Sequence, residues 1–446
     1  MRVHLSLSAI FCHSSGLFFS AFLTRHKAEI LSTADHCEAP GLMPLELAIA
    51  RITNAVETVR QTESINLACA HNRVLAADII AKINVPPADN SAMDGYALRS
   101  ADLMITNKLE LVGTALAGLP FNGKLSQGQC VRIMTGALIP DGADCVIMQE
   151  NTRLEDQSIV MLQTAKTGNN VRQAGEDIAS GQLIAKQGTK LTPAHLALLA
   201  SIGQAEVEVV RQLTVGLIAT GDELLAPGEA PRAGAIYESN SYALSAMLQA
   251  QHIKVINYGI VKDQLASLRE VFQRADAQCD VVISCGGVSV GDADFVKDIL
   301  AEAGHINFWK VAIKPGKPFA FGRLTKAWFC GLPGNPVSSY VTFEQLVMPL
   351  LRKLGGQHQT SNKQPYFVAK TAALVHKRAG RADFQRACFY RDDNGQLWVK
   401  PQGNQSSGLM SSLTQANCYL LLEQQQGDVM PGQDVKILPF SNLFTH

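Results

Sequence analysis

The stretch from Cys279 to Asp294, CDVVISCGGVSVGDAD, holds the residue types best suited to chemistry. Gly286, Gly287 and Gly291 let the backbone approach a ligand and point successive N–H groups at an anion, as phosphate-binding turns do. Asp292 and Asp294 stand at the mouth of this turn, and carboxylates beside an anion cradle suit a Mg2+ ion bridging to a phosphate. A phosphate-bearing ligand with a metal is the first reading. A tight turn in which Asp292 caps the following helix accounts for the same residues equally well.

Carboxylates recur at matching places. Asp222 and Glu223 follow one β-prone run in ATGDEL, and Asp263 follows the next in GIVKD. Ligands of open α/β sheets lie beyond the carboxyl ends of the strands, where a topological switch opens a crevice. Acid after three successive strands favours a site for Mg2+ or ribose hydroxyls over three unrelated helix caps. Two more segments belong at that edge. Lys314 and Lys317 sit in IKPGKP on a turn stiffened by Pro315 and Pro318, which suits an oxyanion, although taken alone the segment reads better as a solvated lysine pair. GLPGNPVSS runs from strand to helix with Asn335 as N-cap, Pro336 at the first helical position and Ser338 as an added donor, so its free N–H groups form a second anion site or a well-capped helix. No GxGxxG follows a strand and no GxxxxGK[ST] occurs, which argues against a dinucleotide-dependent dehydrogenase and a P-loop NTPase.

The elements that must position these residues are legible as periodicity. From Leu213 the chain alternates strand LTVGLIAT, helix SNSYALSAMLQAQ, strand IKVINYGIV, helix QLASLREVFQRADA, strand DVVISC and helix DFVKDILAEAG. Strands INFWKVAI and AWFCGL and a long helix VSSYVTFEQLVMPLLRKL follow, and the whole predicts a doubly wound parallel sheet with right-handed crossovers. Upstream, Met43 to Val59 reads as an amphipathic helix and Val74 to Val85 as a strand stopped by Pro86 and Pro87. Ala88 to Arg172 reads as a compact all-β module inserted between that strand and the strand–helix–strand segment Gly181 to Arg211. Short strands after Thr360, including PYFVAKTAAL, QLWVKP and CYLLLEQ, predict a small β-barrel.

Composition narrows the class. With 39 basic and 39 acidic residues among 446, the chain has no broad electrostatic footprint for nucleic acid or an anionic membrane, so any anion site is local. Ten cysteines without a CxxC pair or zinc spacing argue for reduced thiols and a cytoplasmic protein. The apolar run Leu17 to Leu23 falls short of the roughly 20 residues a membrane span needs. Residues 1–42 are expected to be an extension outside the fold, disordered or a mis-assigned start with Met43 as the true beginning.

Taken in order, DNSAMDGYA, RIMTGALIPDGAD, GEDI, TGDEL, SCGGVSVGDAD, KPGKPFAFG and GLPGNPVSS make the chain from Met43 onward resemble the MoeA family of molybdopterin molybdenumtransferases, related to the gephyrin E domain. The resemblance implies a multidomain α/β protein in the partition that the segments suggest. Residues 43–85 and 173–212 form a discontinuous α/β stalk, 86–172 an inserted β domain, 213–360 a doubly wound molybdopterin-binding domain and 361–446 a C-terminal β-barrel. It implies insertion of molybdate into adenylylated molybdopterin, with Mg2+-dependent release of AMP and formation of molybdenum cofactor.

The roles that come with the resemblance are specific. Glu223, Asp263 and Asp294 handle Mg2+ and the adenylate, and Asp94 joins them as a catalytic group from the inserted domain. Thr135, Arg172, Asp177, Gly286, Gly287, Ser289, Gly291, Lys310, Pro333 and Pro336 bind the pterin substrate. Lys314, Lys317 and Ser338 bind molybdate, helped by Arg386 and Ser407 from the barrel. Family members are elongated homodimers, so the active site is expected to be shared between protomers. The implied partners are a molybdopterin adenylyltransferase upstream and apo-molybdoenzymes downstream. Two departures touch affinity: Glu238 stands where relatives commonly have aspartate, and Cys285 replaces a hydroxyl residue. The alternatives are the sister adenylyltransferase, a gephyrin-like scaffold without catalysis, and a nucleotide hydrolase on a CinA-type domain; the first would not need the inserted and barrel domains, the second would expect a fused partner domain, and the third lacks the SAMDGYA region.

Overall fold

The computed structural model describes residues 41–287, 304–358 and 365–440. Ser289, Gly291, Asp292 and Asp294, the helix expected after them and residues 1–40 lie outside the described residues.

Six strands form the central sheet, in the order Lys254–Val261, Thr214–Thr220, Val281–Cys285, Trp328–Leu332, Pro318–Arg323, His305–Lys310. The first four are mutually parallel, Pro318–Arg323 runs antiparallel to both its neighbours, and His305–Lys310 again points the same way as the first four. The sequence predicts a wholly parallel sheet and assigns no strand to PFAFGR. The difference follows from loop length: the links from Lys310 to Pro318 and from Arg323 to Trp328 are far too short for a crossover helix, so the chain must return as hairpins. Val281–Cys285 is buried throughout, as its apolar run requires. Helix Leu265–Gln278 covers one face through Leu268, Phe272 and Ala275, spaced one helical turn apart.

The other face carries helix Asn240–Gln249 and the long terminal helix. That helix changes to a π-turn over Phe343–Val347 before continuing as Met348–Leu354. Pro349 explains the change, since it has no N–H to give back to the preceding turn and its ring crowds the carbonyl there. Helix Leu45–Ala55, read in sequence as the start of the stalk, buries Leu45, Ala48 and Ile52 in this same core.

Stalk residues from both sides of the insertion share one core. Thr62–Asn66 pairs antiparallel with Glu206–Val210, and Ile79–Ile80 with Leu183–Ala185, around Leu75, Ile178, Leu191 and Leu199. The segment Val74–Val85 is not one strand. Its pairing breaks at a bend where Asp78 turns away to accept a hydrogen bond from the Gln187 N–H at 2.7 Å. The inserted domain is a six-stranded sheet with apolar residues packed in two clusters. In the C-terminal region five strands, Phe367–Thr371, Ala382–Arg391, Leu397–Pro401, Cys418–Leu422 and Asp434–Pro439, close into a barrel, and the short strand Ile313–Lys314 joins it from outside.

Candidate active site at the strand ends

The switch point lies beside Thr214–Thr220, whose two neighbours in the sheet are the next two strands of the chain, one on either side. At its carboxyl end the chain turns through Gly221, and the adjacent strand ends in Gly286 and Gly287. Gly286 has φ near +102° and donates its N–H to the Leu332 carbonyl at 3.1 Å. A methyl group there would stand 2.8 Å from the Thr220 carbonyl, so only glycine lets the two strand ends approach. Thr220 Oγ1 and Ser284 Oγ are buried without a hydrogen-bond partner among the described residues, an unusual state for two hydroxyls so close together in the sheet.

Acid gathers at the same ends. The Asp263 N–H donates to Asp222 Oδ1 at 3.3 Å. Burial first, and then the charges of Asp222 and Glu223, raise the Asp263 carboxyl above its ordinary range. The three carboxylates therefore feel one another, but among the described residues no three acid, histidine or cysteine groups converge closely enough to cage a metal ion. Glu238 plays a different part: buried, it accepts from the N–H of Ser241 at 2.8 Å and from its hydroxyl, capping helix Asn240–Gln249. Cys285 is buried against Ser339 at 3.9 Å, and burial pushes its thiol up to about 12, which leaves it neutral and inert.

The lysine turn packs against the terminal helix and the barrel together. Gly316 has φ near +108°, and a methyl there would fall 2.2 Å from Thr342 Oγ1. Lys314 Nζ reaches Asp383 Oδ2 at 3.0 Å, and Gln385 also donates to that oxygen at 3.2 Å. Asp383 is 3% exposed, so Lys314 is the counter-charge of a buried acid, not one of a solvated lysine pair. Lys317 is exposed on the turn, and Lys310 is exposed where its strand ends.

At the helix start, Asn335 makes no side-chain cap. The Val337 N–H, expected to be free for an anion, donates instead to the Ser407 carbonyl of the barrel at 3.0 Å. Asn240 holds the preceding turn by donating to the Gly334 carbonyl at 2.9 Å; Pro333 beside it is buried and Pro336 half-buried. Ser338, the third residue of the helix, is buried. Arg386, 1% exposed, is fixed by neutral acceptors: Nε donates to Ser412 Oγ at 3.0 Å and Nη2 to the Ser406 carbonyl at 3.1 Å. Asp383 is the group that sequence reading missed here. Its signal was present, a lone acid near the start of an otherwise buried strand, three residues before Arg386.

The remaining predicted residues form a second group in the other half of the chain. Asp94 Oδ1 accepts from both the N–H and the hydroxyl of Thr135 at 2.8 Å, and these bonds, backbone first, hold its carboxyl below the ordinary range. Arg172 lies exposed on the two-residue strand paired with Asn90–Ser91, and the Asp177 N–H donates to the Val85 carbonyl at 3.0 Å. Among the described residues no hydrogen bond or ion pair joins this group to the strand-end group.

Comparison with known proteins agrees with the architecture. Residues 43–203 match the MoeA N-terminal region (domain I and II), 216–353 a probable molybdopterin binding domain, and 368–440 the MoeA C-terminal region (domain IV). A molybdopterin molybdenumtransferase of Haemophilus influenzae is 47% identical over 90% of this chain and 100% of its own length. A gephyrin of Dictyostelium discoideum is 32% identical over 89% of this chain and 62% of its own. The crystal structure of a molybdopterin biosynthesis moeA protein from Pyrococcus horikoshii superposes with a TM-score of 0.77 at 29% identity, covering 90% of this chain and 100% of that one.

The acid cluster yields a prediction with a definite sign. A raised Asp263 stabilises the fold at low pH, and that stability is lost as pH rises through its folded pKa. Asp222→Asn removes one repelling charge, so the Asp263 titration, followed by carboxyl-carbon NMR, is expected to shift to lower pH. An unchanged midpoint would mean that the two carboxylates are not coupled.

Proposed function

The chain belongs to the MoeA family, and from that membership we infer that it is a molybdopterin molybdenumtransferase, which inserts molybdate into adenylylated molybdopterin, releases AMP and gives molybdenum cofactor. One observation supports the chemistry most: a glycine turn, a cluster of acids and a barrel-docked lysine turn share one edge of the sheet, at its switch point.

In this reading Gly286 and Gly287, with Ser289 and Gly291, hold the phosphate of the pterin, while Lys310, Pro333 and Pro336 border the substrate. Molybdate, as the second substrate, meets Lys317, Lys314, Ser338, Ser407 and Arg386. Two features of the chain suit that anion. Arg386 is a buried cation whose hydrogen bonds go to neutral oxygens, so its field has no carboxylate in direct contact to cancel it. Lys314 is aimed by Asp383, which fixes where its remaining N–H donors point.

Glu223 and Asp263, with Asp294, offer the hard oxygen donors that Mg2+ prefers, and an ion that keeps waters and takes ligands from substrate phosphates needs only one or two protein carboxylates. Bound there, Mg2+ would neutralise phosphate charge. The raised carboxyl of Asp263 fits such a site, since like charges held together are relieved by a cation.

Asp94, Thr135 and Arg172 stand on the inserted domain and Asp177 on the adjoining stalk, with Asp94 held ionised by its bonds to Thr135. We propose a homodimer in which they face the strand ends of the partner subunit and complete the site. A cytoplasmic setting suits the eight free thiols among the described residues. There a molybdopterin adenylyltransferase would supply the substrate and apo-molybdoenzymes would accept the product.

Purified protein given adenylylated molybdopterin, Mg2+ and molybdate is expected to release AMP faster with molybdate than without, and Lys317→Ala to raise the molybdate KM at least tenfold. No molybdate stimulation would sink the assignment, whereas ATP consumption with free molybdopterin would favour the sister adenylyltransferase. Asp94→Ala and Glu223→Ala, each inactive alone, are expected to regain activity when mixed into heterodimers. A mixture that forms heterodimers and stays inactive would overturn the shared site.

A further inference from the structure

At the opposite, amino ends of the sheet strands, a half-open cavity lies in the seam between stalk and sheet domain, with room of about 70 Å³. Arg73 and Lys190 of the stalk, Arg211 of the connecting segment, His252 of the loop before Lys254–Val261 and Arg352 of the terminal helix line it. Two of these cations are matched locally. Arg73 pairs with Glu63, and Arg211 makes a two-pronged bond to Asp280 at 2.6 and 2.9 Å.

Lys190 and Arg352 are not. Lys190 Nζ donates to the neutral amide oxygen of Gln251 at 2.8 Å, and among the described residues the Arg352 guanidinium has no hydrogen-bond acceptor. The acid whose charge acts on Arg352 is Glu344, itself buried, bonded to Tyr419 Oη at 2.8 Å and pushed up by burial to about 7. At neutral pH it is a partial counter-charge at most. Burial, and then the Arg352 charge, depress Lys190. Burial, and then His71, Arg73 and Lys190, depress His252. Two half-buried cations that act on one another with at most a partial counter-charge bear a standing cost.

We propose that this seam is an anion site, in which Lys190 and Arg352 hold a tetrahedral oxyanion of the phosphate, sulfate or molybdate class and so tie the stalk to the sheet domain. The room corresponds to about five water molecules, which matches the heavy atoms of one such ion and is too small for a nucleotide. Lysine as a point charge and arginine as a planar fork are the usual pair for this chemistry. The site stands at the far ends of the strands from the glycine turn, so it is separate from the proposed reaction. An anion bound only by the folded chain stabilises it in proportion to the logarithm of its concentration over Kd.

Calorimetric titration of the full chain carrying Lys317→Ala, which weakens the strand-end site, tests this with phosphate, sulfate and molybdate in turn at constant ionic strength. Saturable binding of one equivalent is expected, weakened at least tenfold by Lys190→Gln or Arg352→Gln, and the tightest binder identifies the source. Absence of saturable binding for all three anions, or an affinity unmoved by both substitutions, overturns the proposal. Crystals soaked in the tightest-binding anion give a reading that no variant's folding can affect: density between Lys190 and Arg352 supports the site, and density only elsewhere refutes it.

Discussion

The parallel pairing of Ile313–Lys314 with Ala382–Asp383, closed by the Lys314–Asp383 ion pair, is the constraint on which the strand-end site depends. A carboxylate 3% exposed must be matched, because removing either partner of such a pair leaves an uncompensated buried charge. The barrel therefore cannot dock without bringing the lysine turn with it. Gly316 then lets that turn lie against Thr342 with no room for a side chain, and the Ser407 carbonyl takes the Val337 N–H at the start of the same helix. Three contacts from different parts of the chain thus fix one corner of the sheet edge.

Charges of both signs stand along this edge of the sheet. Arg386 is held by neutral oxygens on the barrel side, while Asp222, Glu223 and Asp263 repel one another at the strand ends. An arrangement of this kind has excess free energy that a dianion and a divalent cation bound together would relieve, as the proposed reaction requires. At the other ends of the same strands, Lys190 and Arg352 form a second unmatched pair, so both ends of the sheet are polarised.

Much of this was legible in the chain. The apolar run Val281–Ile283, the acids after the strands that end at Thr220 and Val261 and the return of stalk-like sequence after Arg172 each follow from periodicity and turn chemistry, and all lie in the expected kind of structure. What escaped depends on partners distant in sequence. Asp383 reads as one acid in a strand until Lys314, 69 residues earlier, is seen beside it. The helix at Pro336 promises free N–H groups because nothing local reveals that Ser407 takes one of them. No strand is read at PFAFGR, since hairpin return at a sheet edge is set by loop length and not by its own pattern. Asp94 in SAMDGYA reads by itself as a turn residue, and its geometry, a carboxylate held by Thr135, speaks of local order as much as of function.

If the barrel contact both places the lysine turn and builds the molybdate site, one side chain should control both. Calorimetric titration of molybdate into Lys314→Met, with hydrogen exchange followed along Ala382–Arg391, tests that link most directly. The account predicts at least tenfold weaker molybdate binding together with faster exchange along that strand, where Asp383 is left unpaired. Wild-type molybdate affinity in the variant would contradict it.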